Sequence, residues 1–197
     1  MEQYKFDESS FMGGWFMPED LCDSLIEYYH SKEDQHTDGI SGGGVDHKVR
    51  KNTDLVIYPE NFVDLDRYLF FLQECLDKYK EKYEWCDNVN AYSIIEPIKI
   101  QHYAPTEGYY TMHMENSGHP DPFILRHLVF MTYLNTLDNA GTEFYYQKLT
   151  TECKKGLTLI WPAGWTHVHR GVTNNVSDKY ITTGWYSFVM PEEIKVD

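Results

Sequence analysis

The residues best suited to chemistry are His113-Met114-Glu115 and, far along the chain, Trp165-Thr166-His167-Val168-His169-Arg170-Gly171. An imidazole and a carboxylate two residues apart on a strand point to the same face. A second imidazole from a distant strand would complete two His and one carboxylate around a divalent metal. That set leaves three positions open on an octahedral ion, the arrangement suited to non-haem Fe(II) and oxygen. Structural zinc prefers a closed tetrahedral shell, usually with thiolates, and no Cys stands near these residues. A single His-x-acid pair is common by chance, so the weight rests on the third ligand. His167 and His169 are themselves two apart, and strand alternation does not choose between them. Of the other histidines, His30, His36, His47 and His119 lie in polar stretches and read as surface residues, while His127, beside Arg126, reads as structural.

Such donors need rigid elements to hold them. Pro18 opens a helix, with Glu19 and Asp20 favourably placed in its first turn and Leu21, Leu25 and Tyr29 along one face. Phe62, Leu65, Leu69, Leu72, Leu76, Tyr79 and Tyr83 step by three and four and predict a second helix packed on the domain's own sheet. Between them, Gly39 to Gly44 reads as a plain loop, because the Lys-Ser/Thr of a phosphate-binding loop does not follow it. Lys48 to Tyr58 extends into a strand. From Ser93 onward the pattern shortens to period two or brief apolar runs. The expected strands are 95–103, 109–114, 125–134, 142–146, 156–161, 166–172 and 181–189, parted by turns such as Pro105-Thr106-Glu107-Gly108. The expected fold class is α+β, with a double-stranded β-helix (jelly-roll) core buttressed by N-terminal helices. A single domain spans 1–197, with helical support over about 15–90 and the core over about 92–190.

A net charge of −14 sets this surface against phosphate backbones, so nucleic acid is not an expected partner. Cys22, Cys75, Cys86 and Cys153 show no CxxC spacing and read as reduced thiols. The first residues carry no basic, apolar leader pattern, and no stretch reaches the roughly 20 apolar residues of a membrane span. A cytoplasmic protein without a membrane partner is the expectation.

Lys179 stands ten residues past His169, and Trp185 six further on. Tyr103 stands ten residues before His113, Gly108 five before it, and Tyr133-Leu134-Asn135 forms a core-strand motif. In this order and spacing, from Tyr103 to Trp185, the chain resembles the 2-oxoglutarate-dependent dioxygenases, and among them the prolyl 4-hydroxylase-like group. The resemblance implies Fe(II) held by His113, Glu115 and His169, with His167 left to packing. It implies 2-oxoglutarate chelating the metal and reaching Lys179, with Tyr103 or Tyr133 adding hydroxyl donors. It implies O2 as co-reactant, succinate and carbon dioxide as coproducts, and ascorbate as reductant. Tyr110, Arg126 and Trp185 stand where the family lines its peptide groove. That points to a prolyl residue in a peptide or protein; lysyl, asparaginyl or free amino-acid hydroxylation shares the remaining features.

The departures are specific. The family's Asp is Glu115 here, which moves the carboxylate by about one bond, roughly 1.5 Å; Asp121 is the alternative acid, eight residues past His113. The family's Gly-Gly-Glu-Thr turn appears as Ala140-Gly141-Thr142-Glu143, and the one-residue displacement of Thr142 would turn it away from the site. The Asp-to-Glu change motivates a reading of another class, a catalytically silent cupin-like binding module. A zinc hydrolase on the same barrel is a third; it would work without oxygen.

Overall fold

The apolar stripe of the second helix finds its partner in an antiparallel sheet. The structure is a computed structural model, and it describes residues 1–42, 44–58, 60–120 and 122–189. Among them are two α-helices, α1 (Glu19–His30) and α2 (Leu65–Lys82). The strands are β1 (Gly13–Phe16), β2 (Thr37–Asp38), β3 (Arg50–Lys51), β4 (Thr53–Val56), β5 (Tyr92–Ser93), β6 (Lys99–Tyr103) and β7 (Gly108–Tyr109). They continue with β8 (Arg126–Tyr133), β9 (Thr142–Phe144), β10 (Leu149–Thr150), β11 (Leu157–Pro162), β12 (His169–Gly171) and β13 (Lys179–Phe188). The large sheet runs β1-β11-β8-β13-β6-β4-β2, with β5 on the far end of β13. A three-stranded sheet, β10-β9-β12, and the pair β3-β7 stand apart from it. No helix among the described residues is long and apolar enough to cross a membrane.

The long apolar runs of the second half reflect a sheet covered on both faces, since side chains alternate along each strand. On one face, Leu128, Phe130, Ile160 and Tyr186 pack with Leu21 and Leu25 of α1 and Tyr68, Leu72 and Leu76 of α2. On the other, Val129, Met131, Leu159, Trp161 and Ile181 pack with Phe144 of the small sheet. The helix-side face also carries a polar line. Thr158, Thr132 and Thr182 sit in register across β11, β8 and β13. Tyr68 reaches from α2 to bond Thr182 at 2.5 Å, and Thr132 and Thr158 bond each other at 2.7 Å. Gly184 is required because a Cβ there would meet the Phe130 ring at 2.3 Å.

Three sequence expectations change. Gly13–Phe16 pairs with β11 as an edge strand, too short for its periodicity to announce it. The expected strand 109–114 ends at Tyr109, and His113 keeps only an isolated bridge to His169. The Glu115 and Asn116 amides both turn to the Ala163 carbonyl, at 3.1 and 2.9 Å, which takes the chain off any ladder. The expected strand 166–172 divides into a 3-10 turn, Trp165–His167, and β12. Asp121 lies outside the described residues.

Tyr68→Phe removes the hydroxyl that ties α2 to the sheet and leaves the Thr182 hydroxyl buried without it. A urea titration should show a loss of about 1–2 kcal/mol with an unchanged m-value.

Candidate metal centre and its cavity

His113 and His169 meet because their backbones exchange two hydrogen bonds, each 2.9 Å. The bridge sets the imidazoles side by side, with ring centroids 4.4 Å apart. Each Nδ1 lies against a backbone carbonyl, His113 on Thr111 O at 3.1 Å and His169 on His167 O at 2.8 Å. A carbonyl only accepts, so each Nδ1 carries a proton, and each Nε2 is the ring nitrogen left to face a metal. Both Nε2 atoms face Glu115 Oε1, at 3.3 Å from His113 and 3.7 Å from His169. Metal bonds of roughly 2.0–2.2 Å place donors at right angles roughly 3 Å apart. The donor set therefore suits a divalent ion. Among the described residues, this is the single group of three or more His, Cys, Asp or Glu with converging donor atoms.

Electrostatics agree with that geometry. Burial raises the Glu115 carboxyl, but His113, His169 and Arg126 outweigh it and hold it down to about 2. Burial, with the neighbouring His113, drives His169 down to about 3, so its imidazole is neutral and able to ligate. Tyr109 stacks on His113 at 3.6 Å, and the Trp161 ring meets His169 edge-on at 5.1 Å. His167 belongs elsewhere. Its Nε2 bonds the Ser10 carbonyl at 2.9 Å, which anchors the N-terminal segment. His167 ends the 3-10 turn and His169 begins β12, so the two histidines are not alternatives on one strand.

The centre opens into a cavity of about 480 Å³. At another part of its wall lies Lys179, buried, with its ammonium 3.3 Å from the Gly141 carbonyl. No carboxylate pairs with it among the described residues, and burial lowers it to about 8. Tyr103, Gln101 and Thr142 share this wall. The Tyr103 hydroxyl donates to Gln101 Oε1 at 2.8 Å.

Tyr133 does not line the cavity. Its hydroxyl is taken up by Thr142 and Thr151 at 2.7 Å each, and its ring supports Lys179 at 5.4 Å. Thr142, expected to face away, lines the cavity instead. A turn precedes it, with Asn139 at φ 53°, and β9 begins at Thr142 itself. Alternation counted through the turn therefore says nothing about its face. Tyr110 bonds the Thr106 carbonyl and stays off the cavity wall; its neighbour Tyr109 is on it. Trp185 and Arg126 both reach the wall, but Arg126 is buried between Glu96 and Glu115. Sequence reasoning missed Thr142, Gln101, Tyr109 and Glu96. Gln101 was open to discovery, two residues from Tyr103 on one strand face; for Glu96 no local signal exists.

No family model and no curated protein matches this sequence. Solved structures do resemble it. A viral collagen prolyl hydroxylase from Paramecium Bursaria Chlorella virus-1, in its 2OG complex, has TM-score 0.69 and 18% identity over 91% of this chain and 97% of that one. A Pseudomonas putida prolyl-4-hydroxylase has TM-score 0.68 and 16% identity over 91% and 93%. A Trichoplax adhaerens prolyl hydroxylase in complex with a hypoxia inducible factor peptide fragment has TM-score 0.68 and 17% identity over 91% and 84%. At such low identity the likeness is one of fold, and nearly the whole of this chain takes part in it. The chain shares the fold of these prolyl hydroxylases.

Proposed function

We propose that this protein is an Fe(II)- and 2-oxoglutarate-dependent dioxygenase that hydroxylates a prolyl residue in a peptide or protein. The observation that carries the reading is one cavity with a His113–Glu115–His169 donor set and an unpaired buried ammonium, Lys179, in its wall. A dianion with a chelating end and a free carboxylate suits those two groups. The fold supports it, since one neighbour was solved with 2OG and another with a peptide. In this reading 1–197 is a single domain, and the large and three-stranded sheets are the two walls of a double-stranded β-helix.

Each residue then has a task. His113 and His169 would hold the metal through Nε2 and Glu115 through Oε1, a donor set that would leave room for cosubstrate and oxygen. Lys179 neutralises the far carboxylate of 2-oxoglutarate, and the Tyr103 and Thr142 hydroxyls become further donors by turning from Gln101 and Tyr133. Tyr133 fixes Thr142 and gives Lys179 an aromatic wall. With iron bound, the centre supplies oxygen activation coupled to conversion of 2-oxoglutarate into succinate and carbon dioxide, with ascorbate maintaining the reduced metal. Tyr109 and Trp185 bound the cavity near the donors and offer the apolar surface a pyrrolidine ring requires.

Mass spectrometry of a proline-containing peptide panel incubated with the protein, Fe(II), ascorbate, oxygen and 2-oxoglutarate should show one added oxygen on proline, with equimolar succinate. Succinate without any modified peptide would leave the oxygenase intact and remove the prolyl substrate. Absence of succinate under every condition would sink the enzyme reading and favour the silent module.

His169→Ala should abolish metal binding and turnover. His167→Ala should leave both while costing about 1–3 kcal/mol of stability through the orphaned Ser10 carbonyl. Reversal of that pattern would displace His169 from the ligand set.

Lys179→Ala should raise KM for 2-oxoglutarate by about 100-fold or more, as expected for a deleted buried charge partner. The ammonium form binds the dianion, so cosubstrate affinity should weaken as pH rises through about 8. Binding above that pH should take up a proton, which calorimetry in buffers of differing ionisation enthalpy detects.

A further inference from the structure

Glu115 has a second oxygen, and two donors seize it. Arg126 Nη1 reaches Oε2 at 3.1 Å, and the Trp185 indole N–H reaches the same atom at 3.1 Å. Arg126 is itself immobilised. Its Nε lies 2.9 Å from Glu96 Oε1 and its Nη2 2.6 Å from Glu96 Oε2, a bidentate pair. Its guanidinium carbon also lies over two aromatic rings, 3.4 Å from the Trp185 ring centroid and 4.5 Å from that of Phe123. Ser187 Oγ donates to Glu96 Oε1 at 3.1 Å and completes the support. Nothing in this arrangement is loose: Arg126 is 7% exposed, and both of its carboxylate partners are protein groups.

We infer that Glu96, Arg126 and Trp185 form a positioning bracket that fits the long Glu115 side chain to the metal centre. Glutamate has one more rotatable bond than aspartate and can offer either or both oxygens to an ion. By holding Oε2, Arg126 and Trp185 leave Oε1 alone to face the His113 and His169 Nε2 atoms, so the carboxylate binds through one oxygen and three positions stay open. The bracket is built for that length. Glu115→Asp withdraws the carboxylate by roughly 1.5 Å, away from both donors. Arg126 is accordingly a positioning residue acting through Glu115, not a contact for peptide, and Trp185 combines a cavity wall with one orienting N–H. This inference rests on the proposed metal centre.

The test is Mn(II) titration of the full chain, read by the loss of free Mn(II) signal in electron paramagnetic resonance, so that neither iron oxidation nor turnover enters. Trp185→Phe keeps a ring over Arg126 and deletes the N–H. It should weaken Mn(II) binding by about 10- to 100-fold, the usual effect of losing a partner that orients a ligand. Glu115→Asp should weaken it similarly. The double variant should be little worse than either, since both break the same contact. Glu96→Gln, which loosens Arg126 without touching Glu115, should give a smaller loss in the same direction and serves if Arg126→Gln does not fold. Unchanged Mn(II) affinity in Trp185→Phe, tighter binding by Glu115→Asp, or strict additivity of the two would overturn the bracket. So would an Arg126→Gln protein that binds Mn(II) normally but shows a raised KM for peptide. Failure of the unaltered chain to bind Mn(II) would instead overturn the metal centre, and this inference with it.

Discussion

His113 and His169 exchange a pair of 2.9 Å backbone hydrogen bonds, N–H to carbonyl in both directions, and this bridge closes the gap between the small sheet and the segment bearing Glu115. Everything at the centre is referred to it. β12 carries His169 because it pairs with β9, which brings Phe144 beneath the imidazole and Thr142 to the cavity wall. The segment after β7 leaves regular structure to make the bridge, then turns the Glu115 and Asn116 amides to the Ala163 carbonyl. Such irregular backbone is affordable only where each polar group finds a partner.

The cavity wall concentrates charge that the rest of the core avoids. Glu96, Glu115 and Arg126 share one cluster in which the guanidinium serves both acids. A buried charge left without its partner costs several kcal/mol, so this cluster rises or falls as a unit. Arg50 and Asp54 form a second buried pair, joined by Asn52 and approached by Lys99. Lys179 differs from both. It is a buried cation on the cavity wall with a carbonyl and the Tyr133 ring beside it but no carboxylate partner among the described residues, and its lowered affinity for a proton records that cost.

The double-faced sheet explains how short elements hold so exacting a centre. β8, β11 and β13 are buried on both sides, with α1 and α2 covering one face and the small sheet the other. Residues on the inner face of these strands, among them Trp161, Lys179 and Trp185, are therefore held by packing from several directions. The threonine line across the opposite face, tied down by Tyr68, keeps those strands in register.

The sequence by itself determined what depends on local periodicity and on residue identity. The stripe from Leu65 to Tyr79 could only be a helix with one buried face, and the paired His and carboxylate named candidate metal ligands, while Lys179 was singled out only by the family resemblance. Alternation alone could not choose between His167 and His169, and only the resemblance favoured His169; in the fold His167 ends a 3-10 turn and His169 begins β12. Nor could alternation place Thr142, whose direction follows from a turn and from pairing with β12. Arg126 shows the limit most clearly. Its type and position suit a substrate contact, yet Glu96, which is thirty residues away in sequence, and the Trp185 ring claim it in the folded chain. Side-chain types and short spacings are written along the chain; which buried charges become neighbours is settled only when the strands pair, because that choice depends on contacts between residues distant in sequence.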